Sequence, residues 1–182
     1  MSTGMIILIV VIAILLIIAI WAISVNNNVK RAGLKCDEAM SGIDVALEKR
    51  HDMLTKLLDT AKKYAEHEKT TILKSVELRK DAPIASKIEN ANKLDSAQNY
   101  LFGLMENYPD LKASVNYEEL QQGIVDAEEH LQASRRAYNA AATQYNNYHV
   151  TFPNSLIANR IKPEKREYFE ASAEKKEDVK IK

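Results

Sequence analysis

A lone cysteine, Cys36, rules out an internal disulfide framework in this 182-residue chain. Glycine and proline are scarce, five and four, and fall singly rather than in runs, which argues against a β-rich fold or long flexible linkers and for a mostly helical one. Charge of one sign is missing too: Lys+Arg and Asp+Glu both number 25, so there is no basic excess of the kind a nucleic-acid-binding protein carries. Nor is there a nucleophile elbow, a phosphate-cradling glycine loop, a Cys-x-x-Cys or a His-Glu-x-x-His motif. These absences leave catalysis without a visible constellation, and no enzyme activity, metal or cofactor is expected.

What is present in plenty is one apolar run. Residues 5–25 read MIILIVVIAILLIIAIWAISV, with no charge and with Ser24 as the polar exception. About 20 such residues at a rise of about 1.5 Å span roughly 30 Å, the thickness of a bilayer's hydrocarbon core. A secretory signal peptide would have a basic start and a shorter apolar core. Residues 1–4 carry no Lys or Arg, although Ala22-Ile23-Ser24 resembles a cleavage box. The run is apolar all round, unlike a core helix with a polar face, and Trp21 suits the membrane boundary. A retained single-pass span is therefore the favoured reading. Lys30, Arg31 and Lys35 follow the span and no cation side chain precedes it, which places the short N-terminus outside and the remainder in the cytoplasm.

Residues 26–33, opening with Asn26-Asn27-Asn28, form a membrane-exit linker, and residues 34–170 a helical bundle. A first soluble helix carries Cys36, Met40, Ile43, Leu47, Leu54, Leu57, Ala61 and Tyr64 on one stripe. Arg50 interrupts it, either packing its stem or pairing with a carboxylate of another helix. The pattern loosens over residues 65–71 and resumes at Ile72, Val76 and Leu78, so one very long helix, bent or broken there, is expected. Pro83 fits the first turn of a second helix over 84–106, striped by Ile88, Ala91, Leu94, Gln98, Leu101, Phe102 and Met105. Asn107-Tyr108-Pro109-Asp110 ends it with turn chemistry. Asn116 and Glu119 have capping-box spacing for a third helix. Its stripe is Leu120, Ile124, Ala127, Leu131, Ser134, Tyr138, Ala141, Tyr145, Tyr148 and Phe152, and Pro153 stops it. At about 36 residues, roughly 54 Å, it needs the first soluble helix as an antiparallel partner. A short segment over 155–161 follows, then Tyr168 and Phe169, expected to dock on the bundle. Residues 171–182 form a charged tail expected to be disordered. The fold class read from all this is all-α: an N-terminal transmembrane helix followed by an elongated antiparallel bundle of three to four long helices.

The run GIDVALEKRHDMLTKLLDTAKKYAEHE, the turn ENYPDLKA, the string ASRRAYNAAATQYNNYHVTFPNSLIA and the closing YFE, in this order behind one span, resemble the LemA family of bacterial membrane proteins. One departure is visible. Where the family usually reads Asp-Leu-Ile-Pro-Asn-Leu-Val, this chain has Asp52-Met53-Leu54-Thr55-Lys56-Leu57-Leu58, without the proline. The resemblance implies a bundle of long antiparallel helices on a single-pass anchor. It implies no enzyme activity and brings no site residues.

The residues offer a few candidates of their own. Glu48 and His51 have the Glu-x-x-His spacing of di-iron bundles, but one copy falls short of the two motifs and further Glu pair such a site needs. A surface position is favoured for both. Asp126 and His130, four apart, read as an intrahelical pair, and His67 between Glu66 and Glu68 as exposed. Tyr138, Tyr145 and Tyr148, with Asn139, Asn146 and Asn147 beside them, either fill the core or line a groove for a partner helix or peptide. The core reading is favoured. Cys36 is read as a packing residue, with reversible acylation as the functional alternative. The expected function is thus a membrane-anchored interaction or scaffold protein of the cell envelope. It would bind the lipid bilayer through residues 5–25 and a protein partner, or itself, through the long helices, with no nucleic acid. The alternatives are a metal- or small-ligand-binding bundle using Glu48 and His51, and an envelope factor in membrane shaping or protein quality control.

Overall fold

Period-3.6 patterning without β-branched alternation gives helices and, among the described residues, no strand. The structure is a computed structural model and describes residues 3–61, 76, 78, 82–107, 115–161 and 164–170. Its four helices are α1 (Thr3–Ala61), α2 (Ile84–Glu106), α3 (Val115–Val150) and α4 (Ser155–Ile161). The all-α expectation holds.

α1 runs unbroken for 59 residues, through the three asparagines at 26–28. Its exposure changes along the way. Residues 3–20 are exposed on every face, while Val25, Val29, Ala32 and Cys36 are buried. The helix is thus long and apolar enough at its start to cross a membrane, with none of that apolar window buried inside the protein. Within this chain, then, the apolar stretch is not packed as a core helix.

The described chain falls into two compact units. The first comprises Met1–Asp37 and Ala140–Glu167, the second Glu38–Asn139 and Tyr168–Lys182. In the first, α3 enters at Ala140 where α1 leaves at Asp37, so the two helices run antiparallel, with the Tyr145 ring 3.6 Å from where a Gly33 Cβ would lie. In the second, Gly42 faces Ser134 and Gly123 faces Met53, again antiparallel. Here α2 joins, and Ile43, Leu47, Leu54, Leu57, Leu94, Leu101, Met105, Ile124 and Leu131 form the core.

The structure corrects several boundaries. Val76 and Leu78 are not helical, so the stripe expected to resume there does not do so as α1. Residues 65–71, Tyr64 and Pro109 lie outside the described residues. Pro83 sits at the N-cap of α2 rather than in its first turn, with φ −55° and ψ 151°. Its carbonyl accepts the Ser86 and Lys87 amides at 3.0 and 3.2 Å. α3 begins at Val115, so Asn116 lies inside the helix instead of capping it. Farther along α3 the buried positions are Tyr138, Ala142, Tyr145 and His149, not Ala141, Tyr148 and Phe152. The seven-residue spacing is kept at Tyr117, Ile124, Leu131, Tyr138 and Tyr145, while the second inward position moves by one residue, from that of Ala127 to that of Ala142 and His149. Phe152 lies past the helix end, is 78% exposed, and forms a cis peptide with Pro153.

Candidate functional site

Arg50 decides the chemistry of the second unit. It occupies a stripe position of α1, so the helix carries it inward, and it is 2% exposed. Its guanidinium is met from both neighbouring helices. Nη2 pairs with Asp95 Oδ1 of α2 at 2.7 Å, and Nη1 with Glu128 Oε2 of α3 at 2.7 Å. Nη2 also donates to Gln98 Oε1 at 2.8 Å. Of the two sequence readings, the interhelical pair is therefore the one realised. Gln98, expected as a stripe residue, is half-buried and serves the cation. Arg135 lies in the same electrostatic neighbourhood: burial lowers its pKa, Glu128 and Asp95 counter this, and Arg50 adds to the lowering. Its guanidinium stacks 4.7 Å from the centre of the Phe169 ring.

One turn before Arg50, α1 faces a cavity of about 370 Å³. Ser41, Asp44, Glu48 and His51 of α1 line it, with Lys87 and Asn90 of α2 and the nonhelical Val76 and Leu78. Lys87, 3% exposed, is ion-paired with Asp44. Glu48 is exposed and His51 half-buried, so the pair with metal-ligand spacing does share a concavity. Among the described residues, however, no group of three or more His, Cys, Asp or Glu is placed to hold a metal ion. The patterning had no means of finding Lys87 and Asn90: both look like surface residues in an isolated helix, and their burial is imposed by α1.

The tyrosine-asparagine steps of α3 turn out to have a division of labour. Tyr138 and Tyr145 are buried, at 3% and 2% exposure, as the core reading expected; Tyr148 is half-buried. The asparagines hold the chain's own nonhelical segment over 164–170. In the first unit, Asn146 Nδ2 donates to the Arg166 carbonyl at 2.9 Å and its Oδ1 accepts the Arg166 amide at 2.8 Å. In the second, Asn139 makes the same two bonds with Phe169, at 3.1 and 2.8 Å. A side-chain amide thus satisfies both backbone groups of one residue. Phe169 is buried as expected, but Tyr168 stays 41% exposed.

The remaining candidates disperse. Asp126 accepts from Gln122 Nε2 at 2.8 Å, so the intrahelical partner is one turn before it and is not His130, which is exposed. His67 lies outside the described residues. Cys36 is fully buried; burial raises its thiol pKa, which Arg166 opposes and Asp37 reinforces. That position agrees with packing and blocks access by an acylating enzyme. His149, unremarked in the sequence, is 4% exposed against Tyr145, with Nδ1 3.0 Å from Asn159 Oδ1.

The profile of the LemA family matches residues 39–182. A relative from Metamycoplasma hominis, described as "Protein LemA", is 30% identical over 159 residues, covering 85% of this chain and 73% of the relative.

Proposed function

The chain belongs to the LemA family, and from that premise we propose that it is a membrane-anchored, non-catalytic interaction or scaffold protein whose helical domain lies on the cytoplasmic side. The observation that carries this is the change of exposure within one unbroken helix. α1 is bare and apolar over residues 3–20, then becomes a core element from Val25 onward. A lipid phase is the solvent that such a bare stretch requires. A cleavable leader fits less well, since Ala22-Ile23-Ser24 lies within the continuous helix and Val25 is packed. Orientation rests on Lys30, Arg31 and Lys35 after the stretch and no Lys or Arg before it.

The interaction role draws on how α3 holds the segment 164–170. Paired side-chain-to-backbone bonds at Asn139 and Asn146 recognise extended polypeptide regardless of its side chains. Crosslinking the full-length protein in cells, with the partners read by mass spectrometry, tests the role. Links to a defined protein on the cytoplasmic side support it; links on the other side overturn the orientation.

The cavity at Glu48 and His51 favours a second reading, a bundle that takes a small polar ligand between Lys87–Asp44 and His51. Native mass spectrometry and elemental analysis of the purified protein separate the two: a stoichiometric adduct or metal revives this reading, and a bare mass removes it.

A further inference from the structure

We infer that the turn after α3 and the short helix α4 form a second membrane contact, a wedge of Val150, Phe152 and Leu156 seated in the boundary layer of the bilayer that holds the anchor. The inference rests on the anchor reading. These three residues are 59%, 78% and 62% exposed, and they follow one another within seven positions. Isolated exposed apolar residues need no explanation, but a cluster with a large aromatic at its tip does.

Their level along α1 identifies the occupant. Tyr145 lies against Gly33, and α3 runs antiparallel to α1 in this unit. Val150 is five residues farther on, about 7.5 Å, and so level with roughly Asn28. Phe152 lies beyond it, on the same rise level with about Val25, where the apolar stretch over 5–25 ends, and α4 folds back from there, its Asn159 hydrogen-bonded to His149. Val25 is buried and Trp21 half-buried, although the helix is bare from residue 20 backward. Within this unit, the chain available at that level to cover them is the turn and α4. The segment has an inner side, marked by the fully buried Ala158, and an outer side that presents Phe152 and Leu156. If residues 5–25 lie in the hydrocarbon, that outer side meets the acyl–headgroup boundary.

Two further features suit lipid rather than water or protein. The backbone amides of Thr151, Ser155, Leu156, Ile157 and Ala158 all donate to carbonyls of Asn147, Thr151, Pro153 or Asn154, so the turn exposes few unpaired groups to an apolar medium. The charge is also local. The chain as a whole is neutral, yet the described residues of this unit hold six cations, Lys30, Arg31, Lys35, Arg160, Lys165 and Arg166, against Asp37, Glu164 and Glu167. A surplus of cations in the unit that carries the apolar tip matches an anionic bilayer surface.

The test places an environment-sensitive fluorophore on full-length protein in a Cys36→Ala background, reconstituted into vesicles of equal parts phosphatidylglycerol and phosphatidylcholine. Labels go at Phe152→Cys, Leu156→Cys, Ile14→Cys and Gln121→Cys, one at a time, with nitroxide lipids as quenchers. The expected result is blue-shifted emission at 152 and 156, with a several-fold greater loss to shallow nitroxides than at 121, while 14 responds to deep ones. Quenching at 14 with red, unquenched emission at 152 and 156 overturns the wedge and leaves the anchor standing. Blue-shifted but unquenched emission there means a second copy or another protein covers the face, and overturns it as well. Quenching at 121 equal to that at 152 removes its specificity. No quenching at 14 sinks the anchor reading, and the wedge with it.

Discussion

The two units solve the same packing problem with different materials. In the second unit three helices meet, and at their centre stands a cation, Arg50, tied to Asp95 on one neighbour and Glu128 on the other. In the first, α1 and α3 meet through small and aromatic residues, Ala32, Cys36, Ala142 and Tyr145, with only the short α4 beside them, and the ion pair, Arg166 with Asp37, lies at the surface. In the second unit a third long helix supplies the carboxylates that satisfy a buried charge; the seven-residue α4 supplies none to the first. The first unit also owns the bare apolar stretch of α1, and the second owns the cavity.

Replacing the central cation should break this contrast most strongly. Arg50→Ala leaves two half-buried carboxylates facing each other and should cost about 3 kcal/mol, the low end for a broken buried pair because Asp95 and Glu128 retain some solvent. Arg166→Ala, the matching change in the first unit, should cost less than about 1 kcal/mol after solvent screening. Urea unfolding of the detergent-solubilised protein reads both, and equal losses would erase the distinction. Next in size are the asparagine pairs. Asn139→Ala should loosen the segment at Phe169 by about 1–2 kcal/mol, and Asn146→Ala should do the same at Arg166, seen as faster hydrogen exchange of those two amides.

Alkaline pH sharpens the comparison from another side. Burial raises the pKa of Cys36 and Tyr145 in the first unit and of Tyr117 in the second, where Glu106 adds to the rise. A raised folded pKa means the protonated form is the one the fold favours. Stability is therefore full below the unfolded values, about 8.5 for a thiol and about 10 for a phenol, and falls as pH climbs through the folded ones. Cys36→Ala should abolish the part of the decline that starts near pH 8.5, and leave the tyrosine part in a melting-temperature series. The smallest effect runs the other way. At Gly33 an added Cβ would stand 3.6 Å from the Tyr145 ring, ordinary contact, so Gly33→Ala should stabilise by about 0.5–1 kcal/mol through helix propensity.

The helices were legible because apolar spacing and turn residues act locally. α2 falls where the sequence placed it, and the apolar start of α1 needs no partner to be recognised. What eluded the pattern depends on more than one element. Lys87 and Asn90 are buried by α1, not by anything in their own helix. The burial of His149 in place of Tyr148 goes with its contacts to Asn159 and Tyr145, which a heptad template does not contain. Asn139 and Asn146 were noticed beside the tyrosines, but their carbonyl and amide partners lie 30 and 20 residues away, and spacing alone carries no sign of them. The Glu48–His51 spacing was visible, whereas the cavity they share takes three separate stretches to build.

In-cell crosslinking of the full-length protein, read by mass spectrometry, tests the central claim of a membrane-anchored interaction module most directly. The account predicts links from exposed lysines of the second unit, such as Lys56, to a defined cytoplasmic or membrane protein. Links confined to the chain itself, from a protein recovered in the soluble fraction, would contradict it.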